Sequence, residues 1–329
     1  MTIPLQDSFN RNINYLRVSV TDRCNLRCLY CMPEQGISLK RHEDILRYEE
    51  IGRLVRVAAE LGIVKVRLTG GEPLVRPGLD ELVGMLAEVP GIDDLSLTTN
   101  GVLLASQAKA LAAAGLKRVN VSLDSLREER FHTITRRGRL ADVLAGIEVA
   151  QDTGLTPVKI NMVVMRGVND DEVIDFAQRT LADGWHVRFI EIMPLGEGAH
   201  CSGDGYVPTA EIRRTIEAAL GALEPGKQDM YGPARYWRLP GALGTIGFIS
   251  PISEHFCHYC NRLRLTADGR LLPCLLSEGE VDVRTALRTG ADDVVLRELF
   301  LRAITAKPAG HHLDEQVVPE GRLMAGIGG

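Results

Sequence analysis

Three cysteines lie close together near the N-terminus of this 329-residue chain. Cys24, Cys28 and Cys31 are spaced four and then three residues apart, directly after a short apolar segment. Three thiolates on one loop can bind three irons of a four-iron cluster and leave the fourth iron open to another ligand. Zinc is the alternative metal, because the nearby His42 can complete a tetrahedral set of four ligands. The loop is therefore predicted to hold a metal centre.

A second set of three cysteines lies near the C-terminus and consists of Cys257, Cys260 and Cys274. This set also lacks a fourth thiolate, and either His255 or His258 can supply the missing ligand of a zinc site. The spacing alone leaves zinc and an iron–sulfur cluster open. The seventh cysteine, Cys201, stands alone in a glycine-rich segment and is predicted to be a bystander thiol.

The elements that must position these cysteines follow a regular alternation of short apolar segments and helical patterns between residues 15 and 193. In the first helical pattern, apolar residues recur at helical spacing from Ile51 to Ala58. Such alternation is typical of βα units around a parallel sheet, and six units predict an α/β protein with a partial (β/α)6 barrel, similar to a TIM barrel. The predicted strands are residues 16–20, 64–69, 94–99, 118–123, 158–165 and 187–193.

Beyond residue 193 the alternation ends. A further helix is predicted over residues 209–220, with Thr209 or Pro208 at its start. The residues that follow are rich in turns and contain the second cysteine set. The chain is therefore predicted to have two domains, a barrel core over residues 1–223 and a C-terminal extension over residues 224–329.

Composition limits the classes of protein and partner. Hydrophobic residues make up 45% and charged residues 25% of the chain, which excludes a disordered or collagen-like protein. A formal net charge of -5 provides no overall basic field for nucleic acid, so anionic ligands need local basic sites. The sequence lacks a basic leader and a long apolar run, and a cytoplasmic protein with no membrane partner is predicted.

Polar motifs follow several of the predicted strands. In parallel barrels the reactive groups lie at the C-terminal ends of the strands, where these motifs stand. A glycine pair there lets the backbone approach a ligand closely. The motifs are Gly70-Gly71-Glu72-Pro73, Thr98-Thr99-Asn100-Gly101 and Ser122-Leu123-Asp124.

The first cysteine loop, with Tyr30 before its third cysteine, and the Gly-Gly-Glu-Pro motif resemble those of the radical S-adenosylmethionine (SAM) superfamily. Together with the Cys-x-x-Cys-Asn-Arg-x-Arg string that begins at Cys257, they make nearly the whole chain similar to the MoaA-type GTP 3′,8-cyclases of molybdenum cofactor biosynthesis. The terminal Gly328-Gly329 pair is similar to the end of that family, which is thought to reach the active site. The resemblance implies a partial barrel of the radical SAM type with a cluster-binding C-terminal extension.

The resemblance also assigns roles to individual residues. The two implied 4Fe-4S clusters would be bound by Cys24, Cys28 and Cys31 and by Cys257, Cys260 and Cys274. The implied SAM contacts are Tyr30, Gly71, Ser122 and Met193. The implied GTP contacts are Arg17, Arg67, Thr98, Lys159, Arg262 and Arg264. Several cations suit a triphosphate inside a barrel, and the last two arginines would share one face of a strand.

The activity implied by the resemblance is that of a lyase. A reduced first cluster would cleave SAM to a 5′-deoxyadenosyl radical, which takes the ribose 3′ hydrogen of GTP. The expected product is (8S)-3′,8-cyclo-7,8-dihydroguanosine 5′-triphosphate, and the second cluster would face the purine. The implied partners are an electron donor such as flavodoxin or ferredoxin, the next-step cyclic pyranopterin monophosphate synthase, and a second copy of the chain in a homodimer.

Two other classes of function fit part of the sequence. A peptide-modifying radical SAM maturase also carries extra C-terminal cysteines, although usually more than the three present here. A non-enzymatic zinc-binding adaptor would use both cysteine sets but leaves the Gly-Gly-Glu-Pro motif unexplained. A P-loop GTPase is disfavoured, because the chain has no Gly-x-x-x-x-Gly-Lys-Ser/Thr string.

Overall fold

The structure of the chain, a computed structural model, describes residues 5–227, 232–311, 313 and 324–327. Within these residues the chain forms an α/β fold around one twelve-stranded sheet. Gly328 and Gly329, which the sequence analysis expected to reach the active site, lie outside the described residues.

Six parallel strands form the centre of the sheet. Each lies within two residues of its predicted position, and the prediction of successive βα units is confirmed. The strands are β1 (Tyr15–Ser19), β2 (Lys65–Thr69), β3 (Asp94–Thr99), β4 (Arg118–Ser122), β5 (Lys159–Val164) and β6 (His186–Glu191).

Helices follow these strands and cover the outer face of the sheet. In the first helix Ile51, Leu54, Val55 and Ala58 are fully buried, as their helical spacing predicts, and they belong to the same core as Leu16 of β1. The helices are α1 (Tyr48–Glu60), α2 (Leu79–Ala87), α3 (Leu104–Ala113), α4 (Glu128–Thr135), α5 (Leu140–Asp152) and α6 (Val173–Ala182). In the part of the chain that the structure describes, every helix is too short or too polar to cross a lipid bilayer.

The C-terminal part adds strands to both edges of the same sheet. The helix predicted over residues 209–220 is confirmed with those bounds and begins after Pro208. The elements are α7 (Gly198–Cys201), α8 (Thr209–Leu220), β7 (Glu224–Pro225), β8 (Ala234–Arg238), β9 (Thr245–Ile249), β10 (Arg262–Leu265), β11 (Arg270–Leu272), β12 (Val281–Asp282), α9 (Arg284–Arg288), α10 (Asp293–Thr305) and α11 (Met324–Ile327). A domain boundary at residue 223 stays a prediction.

The order of the strands is β12-β11-β10-β1-β2-β3-β4-β5-β6-β9-β8-β7. Strand β10 pairs in parallel with β1, and β9 pairs in parallel with β6, so the parallel part of the sheet is wider than the six predicted units. Within the described residues β12 and β7 do not pair with each other, and the sheet is therefore a partial barrel.

The alternation of side chains along the strands separates an apolar outer face from a polar interior. In β1, Leu16 and Val18 are fully buried in the core with the helices, whereas Tyr15 and Arg17 line a cavity inside the barrel. Because the side-chain period of a strand is two, the register Arg264↔Arg17↔Arg67 brings three guanidinium groups to the same interior face. The fold thus concentrates positive charge inside the barrel.

Candidate active site

One cavity of about 340 Å³ runs along the inside of the barrel. Its lining includes residues from the starts of strands, such as Tyr15 and Lys65, and residues that follow their ends, such as Gly71 and Met193. Both predicted cysteine sets line it. The cavity therefore joins the two groups of residues that the sequence singled out separately.

The first cysteine loop lies at the C-terminal end of β1. Its three cysteines are half-buried, and the backbone holds them together through a hydrogen bond from Cys31 N to Cys28 O of 3.0 Å. Burial raises the pKa of Cys24 to about 11 and that of Cys31 to about 12, and the charges of Cys24 and Asp124 add to the shift of Cys31. Thiols in this environment ionise when a metal supplies positive charge. Three such donors on one loop suit an iron–sulfur cluster.

Gly70 and Gly71 pack directly against this loop. Gly70 has a φ of +154°, and a Cβ there would lie 2.6 Å from the Thr21 carbonyl oxygen, while a Cβ on Gly71 would overlap the Arg23 carbonyl. Gly71 N donates to Thr21 O over 2.8 Å. The glycine pair was predicted to let the backbone approach a ligand. In the structure, the backbone that comes this close is that of the cysteine loop.

Substitution of Gly71 by alanine is expected to displace the loop and to lower its iron content to less than half, because the added Cβ meets backbone atoms that cannot move alone. Iron and acid-labile sulfide per chain measure this effect. Gly84→Ala in α2 is the matched control, since a Cβ there meets no atom within 4 Å. Equal iron content in both variants would contradict the prediction.

Glu72 joins the Gly-Gly-Glu-Pro motif to the end of strand β3 by hydrogen bonds. Its carboxylate is buried and accepts hydrogen bonds from Thr99 Oγ1 at 2.7 Å and Asn100 N at 2.6 Å. Burial raises the pKa of Glu72 to about 7, although these hydrogen bonds oppose the shift. The local sequence around Glu72 does not reveal this role, because the partners of its carboxylate lie on the next strand.

Tyr30 is held in place by a buried carboxylate. The Tyr30 hydroxyl donates to Asp124 Oδ2 over 2.7 Å, and Val163 N donates to Asp124 Oδ1 over 2.8 Å. Burial raises the pKa of Asp124 to about 6. The four predicted SAM contacts, which are Tyr30, Gly71, Ser122 and Met193, all line the cavity. Met193 stands two residues beyond the end of β6 rather than within it.

Five of the six predicted GTP contacts line the cavity, namely Arg17, Arg67, Thr98, Arg262 and Arg264. The exception is Lys159, whose ammonium lies 5.6 Å from the centroid of the Tyr236 ring and which is not among the residues of the cavity wall. Arg262 and Arg264 lie on strand β10, which was not among the six predicted strands, and both line the cavity as residues on one face of a strand. The structure thus gathers most of the predicted set in one place.

Four further cations line the cavity and were not predicted from the sequence: Lys65, Arg118, Arg188 and Lys307. Arg188 Nε donates to the Tyr236 hydroxyl over 2.8 Å. When its amide oxygen faces them, Asn120 accepts from both Arg67 and Arg188. The signal was present, because strand alternation puts Lys65 on the same face as Arg67.

The electrostatics of the interior favour an anion. Burial, together with the charge of Arg262, lowers the pKa of Arg264 to about 10, and burial and Arg264 lower the pKa of Arg17. Guanidinium groups that lower one another's pKa in this way are stabilised by a polyanion bound among them. Among the described residues, Thr98 Oγ1 and Asn161 Oδ1 are also buried without a hydrogen-bond partner, so each can bind a ligand.

The second cysteine set lies at the opposite end of the barrel from the first. Cys260 precedes β10, which runs parallel to β1, whereas the first loop follows β1. His255 packs edge-on against His311, and His258 packs edge-on against Tyr259. In the described ranges, no three Cys, His, Asp or Glu side chains are grouped so as to hold a single metal ion.

Cys260 differs from the other cysteines in its electrostatic surroundings. Burial opposes ionisation, but the positive charges of Arg262 and Lys307 lower the pKa of Cys260 to about 6. This thiol is therefore ionised at neutral pH without a metal, whereas Cys24 and Cys31 are not.

In the metal-free protein at pH 7.5, iodoacetamide is expected to alkylate Cys260 at least about tenfold faster than Cys24, because the thiolate is the reactive form. The rate at Cys260 falls as the pH drops through about 6, where the thiolate is protonated. Mass spectrometry of the modified peptides over time measures both rates. Equal rates at the two cysteines would contradict this assignment of charge.

Comparison with known proteins gives two family matches and many full-length relatives. Residues 18–180 match the radical SAM superfamily, and residues 185–313 match the family described as molybdenum cofactor synthesis C. The GTP 3′,8-cyclase of Pelotomaculum thermopropionicum is 55% identical over 99% of this chain and 100% of its own length. The GTP 3′,8-cyclase of Moorella thermoacetica is 53% identical with the same coverage.

Solved structures resemble the fold at low sequence identity. SuiB of Streptococcus suis, in a crystal structure bound to S-adenosylmethionine, matches with a TM-score of 0.60 and 15% identity over 91% of this chain and 68% of its own. The structure described as anSMEcpe with bound AdoMet matches with a TM-score of 0.56 and 14% identity over 92% and 79% of the two chains. These likenesses show the architecture of the sheet and helices alone.

Proposed function

The chain belongs to the radical SAM superfamily and, within it, to the GTP 3′,8-cyclases, and on this premise we propose how its cavity performs that reaction. The activity is the conversion of GTP to (8S)-3′,8-cyclo-7,8-dihydroguanosine 5′-triphosphate in the first step of molybdenum cofactor biosynthesis. The observation that supports this site most directly is the cavity itself, with three cysteines at each end and buried cations between them.

The three thiols of the first loop fit the 4Fe-4S cluster that a radical SAM enzyme uses, and Cys24, Cys28 and Cys31 would hold it. When bound, this cluster and SAM supply the radical that takes the 3′ hydrogen of the ribose. Tyr30, fixed by Asp124, would support the adenosyl end of SAM, and Ser122 and Met193 would line its other side. The Gly-Gly-Glu-Pro segment packs against the first cysteine loop and would keep it in position.

The triphosphate of GTP would lie among the interior cations. Arg17, Arg67, Arg262 and Arg264 present guanidinium donors from three adjacent strands, and Lys65 and Arg188 extend this wall on either side. Charge-assisted hydrogen bonds of this kind fix a phosphate chain firmly where water is scarce. The residues would thereby orient ribose and base for the ring closure.

Cys257, Cys260 and Cys274 would hold a second 4Fe-4S cluster beside the purine. Support comes from their half-buried positions on the cavity wall and from the charges of Arg262 and Lys307, which favour thiolates there. Lys159 is retained as a candidate phosphate contact that would have to turn away from Tyr236.

The reaction needs electrons that no side chain supplies. Cleavage of SAM takes one electron, and reduction of the cyclised nucleotide radical takes a second electron and a proton, so the product has the mass of GTP. A low-potential carrier such as flavodoxin or ferredoxin would donate them in the cytoplasm. The product would pass to the next-step cyclic pyranopterin monophosphate synthase, and the enzyme would act as a homodimer.

Anaerobic turnover of the iron-reconstituted protein with SAM and dithionite tests the function. We expect 5′-deoxyadenosine to form with GTP and not with ATP, together with a nucleotide of unchanged mass and altered retention. Formation of 5′-deoxyadenosine regardless of the nucleotide would instead favour a maturase. A colourless protein that binds zinc and leaves SAM intact would favour the adaptor.

A further inference from the structure

Lys307 is a buried lysine beside the second cysteine set and lines the same cavity. It follows α10, is 4% exposed, and its Nζ donates to Arg262 O over 2.8 Å and to Pro273 O over 2.7 Å. The first carbonyl lies two residues after Cys260, and the second lies one residue before Cys274. One ammonium therefore ties together the segments that carry two of the three cysteines.

Arg11, near the N-terminus, contacts the backbone of Cys257, the remaining cysteine of the set. Its guanidinium is 6% exposed and donates to Cys257 O over 2.7 Å, to Pro308 O over 2.6 Å and to Ala309 O over 3.0 Å. Asp7 neutralises it through an ion pair of 2.6 Å. Arg11 thus joins the backbone of Cys257 to the two residues that follow Lys307.

The charges of the two cations act differently. The Arg11 charge is balanced by Asp7, which is itself buried. For Lys307, no carboxylate among the described residues lies within ion-pair distance, and its charge interacts with Cys260 and Cys274. A positive charge beside a cluster favours the state with one more electron, because that state carries one more negative charge.

From these contacts we propose that Arg11 and Lys307 form a clamp that positions the three thiolates of the second cluster, and that the Lys307 charge raises the reduction potential of that cluster. Both are positioning residues, since their hydrogen bonds go to the backbone carbonyls of the segments that carry the cysteines. The inference rests on the second cluster of the proposed function, and it adds residues from both ends of the chain to that site.

The experiment uses the full chain in which Cys24, Cys28 and Cys31 are replaced by alanine, so that iron reports only the second set. In this background, Lys307→Gln keeps one donor and removes the charge, whereas Lys307→Met removes both. Lys109→Gln, on the exposed surface of α3, is the matched control. Iron and sulfide content and a redox titration followed by electron paramagnetic resonance are measured for each variant.

We expect the background protein and the Lys109 control to bind one cluster of equal potential. Lys307→Gln is expected to lower the equilibrium constant for reduction of the cluster about tenfold, which lowers its reduction potential by about 59 mV for one electron. Lys307→Met is expected to lose iron as well. Arg11→Gln is expected to lower iron content without shifting the potential of the remaining cluster. A background protein without iron would overturn the second cluster and the clamp together. Iron present with an unchanged potential in Lys307→Gln would overturn the clamp alone.

Discussion

Replacement of Cys28 by alanine is expected to reduce formation of both 5′-deoxyadenosine and the cyclised nucleotide by more than about 10³-fold. The central thiol of the loop lies beside the other two thiols and Asp124, and two remaining thiols cannot hold the iron cluster in its place. Without the cluster, SAM cleavage falls toward the uncatalysed rate, and the loss is therefore far larger than that of a binding contact. Iron content and product analysis under anaerobic conditions measure both effects.

Cys201→Ala is the control for this prediction. The Cys201 thiol lies 3.9 Å from Leu29 O and packs against a small apolar cluster that includes Ile134 and Met165, and it is not among the residues of the cavity wall. Its loss should leave iron content and turnover within about twofold. If Cys28→Ala kept more than a tenth of its turnover, the assignment of the first loop would be wrong.

The substitution Arg264→Gln is expected to raise the KM for GTP by about 10- to 100-fold, with a smaller effect on kcat. A charge-assisted hydrogen bond in a buried site contributes about 1.5–3 kcal/mol, and each 1.4 kcal/mol is a factor of ten. The same substitution should raise the Tm of the GTP-free protein, because it removes one of several guanidinium groups that depress each other's pKa. Steady-state kinetics and thermal unfolding with and without GTP measure the two effects.

A surface arginine provides the comparison. Arg297 of α10 pairs with Glu60 at the surface, where an ion pair contributes at most about 1 kcal/mol, so Arg297→Gln should change neither KM nor the effect of GTP on Tm. An Arg264→Gln variant with normal KM and lower Tm without GTP would mean that Arg264 stabilises the barrel and does not bind phosphate.

The sequence predicted the parts of the site that local patterns encode. Cysteine spacing, strand alternation and strand-end motifs are short-range features. The structure places Arg17, Arg67 and Arg264, which the family resemblance assigned to GTP, in one cavity. The same alternation would have found Lys65 and Arg188, had every inward position of each strand been considered. Lys159 also follows the alternation of its strand, but its ammonium lies over the ring of Tyr236, which is 77 positions later in the chain.

The buried carboxylates and the clamp depend on contacts that no local pattern reveals. Asp124 meets Tyr30 across 94 residues, and Arg11 meets Cys257 across 246 residues. Likewise, the pairing of β10 with β1 extends the sheet beyond the βα units, and a pattern of βα units contains no information about it. Local sequence patterns therefore predict the centre of the barrel better than its edges.

The pairing of β1 with β10 also sets an order of events during synthesis. The side chains of Asn14 and Asn261, which join these strands at their starts, are 247 residues apart. At 5–20 residues per second a ribosome needs about 12 to 50 seconds to make that interval. During this time one edge of β1 has no strand to pair with, and open edges invite association with other chains. The first cysteine loop and the Gly70-Gly71 pair that packs against it are therefore synthesised well before the nucleotide pocket can be completed. We expect that assembly of the first cluster can precede completion of the pocket.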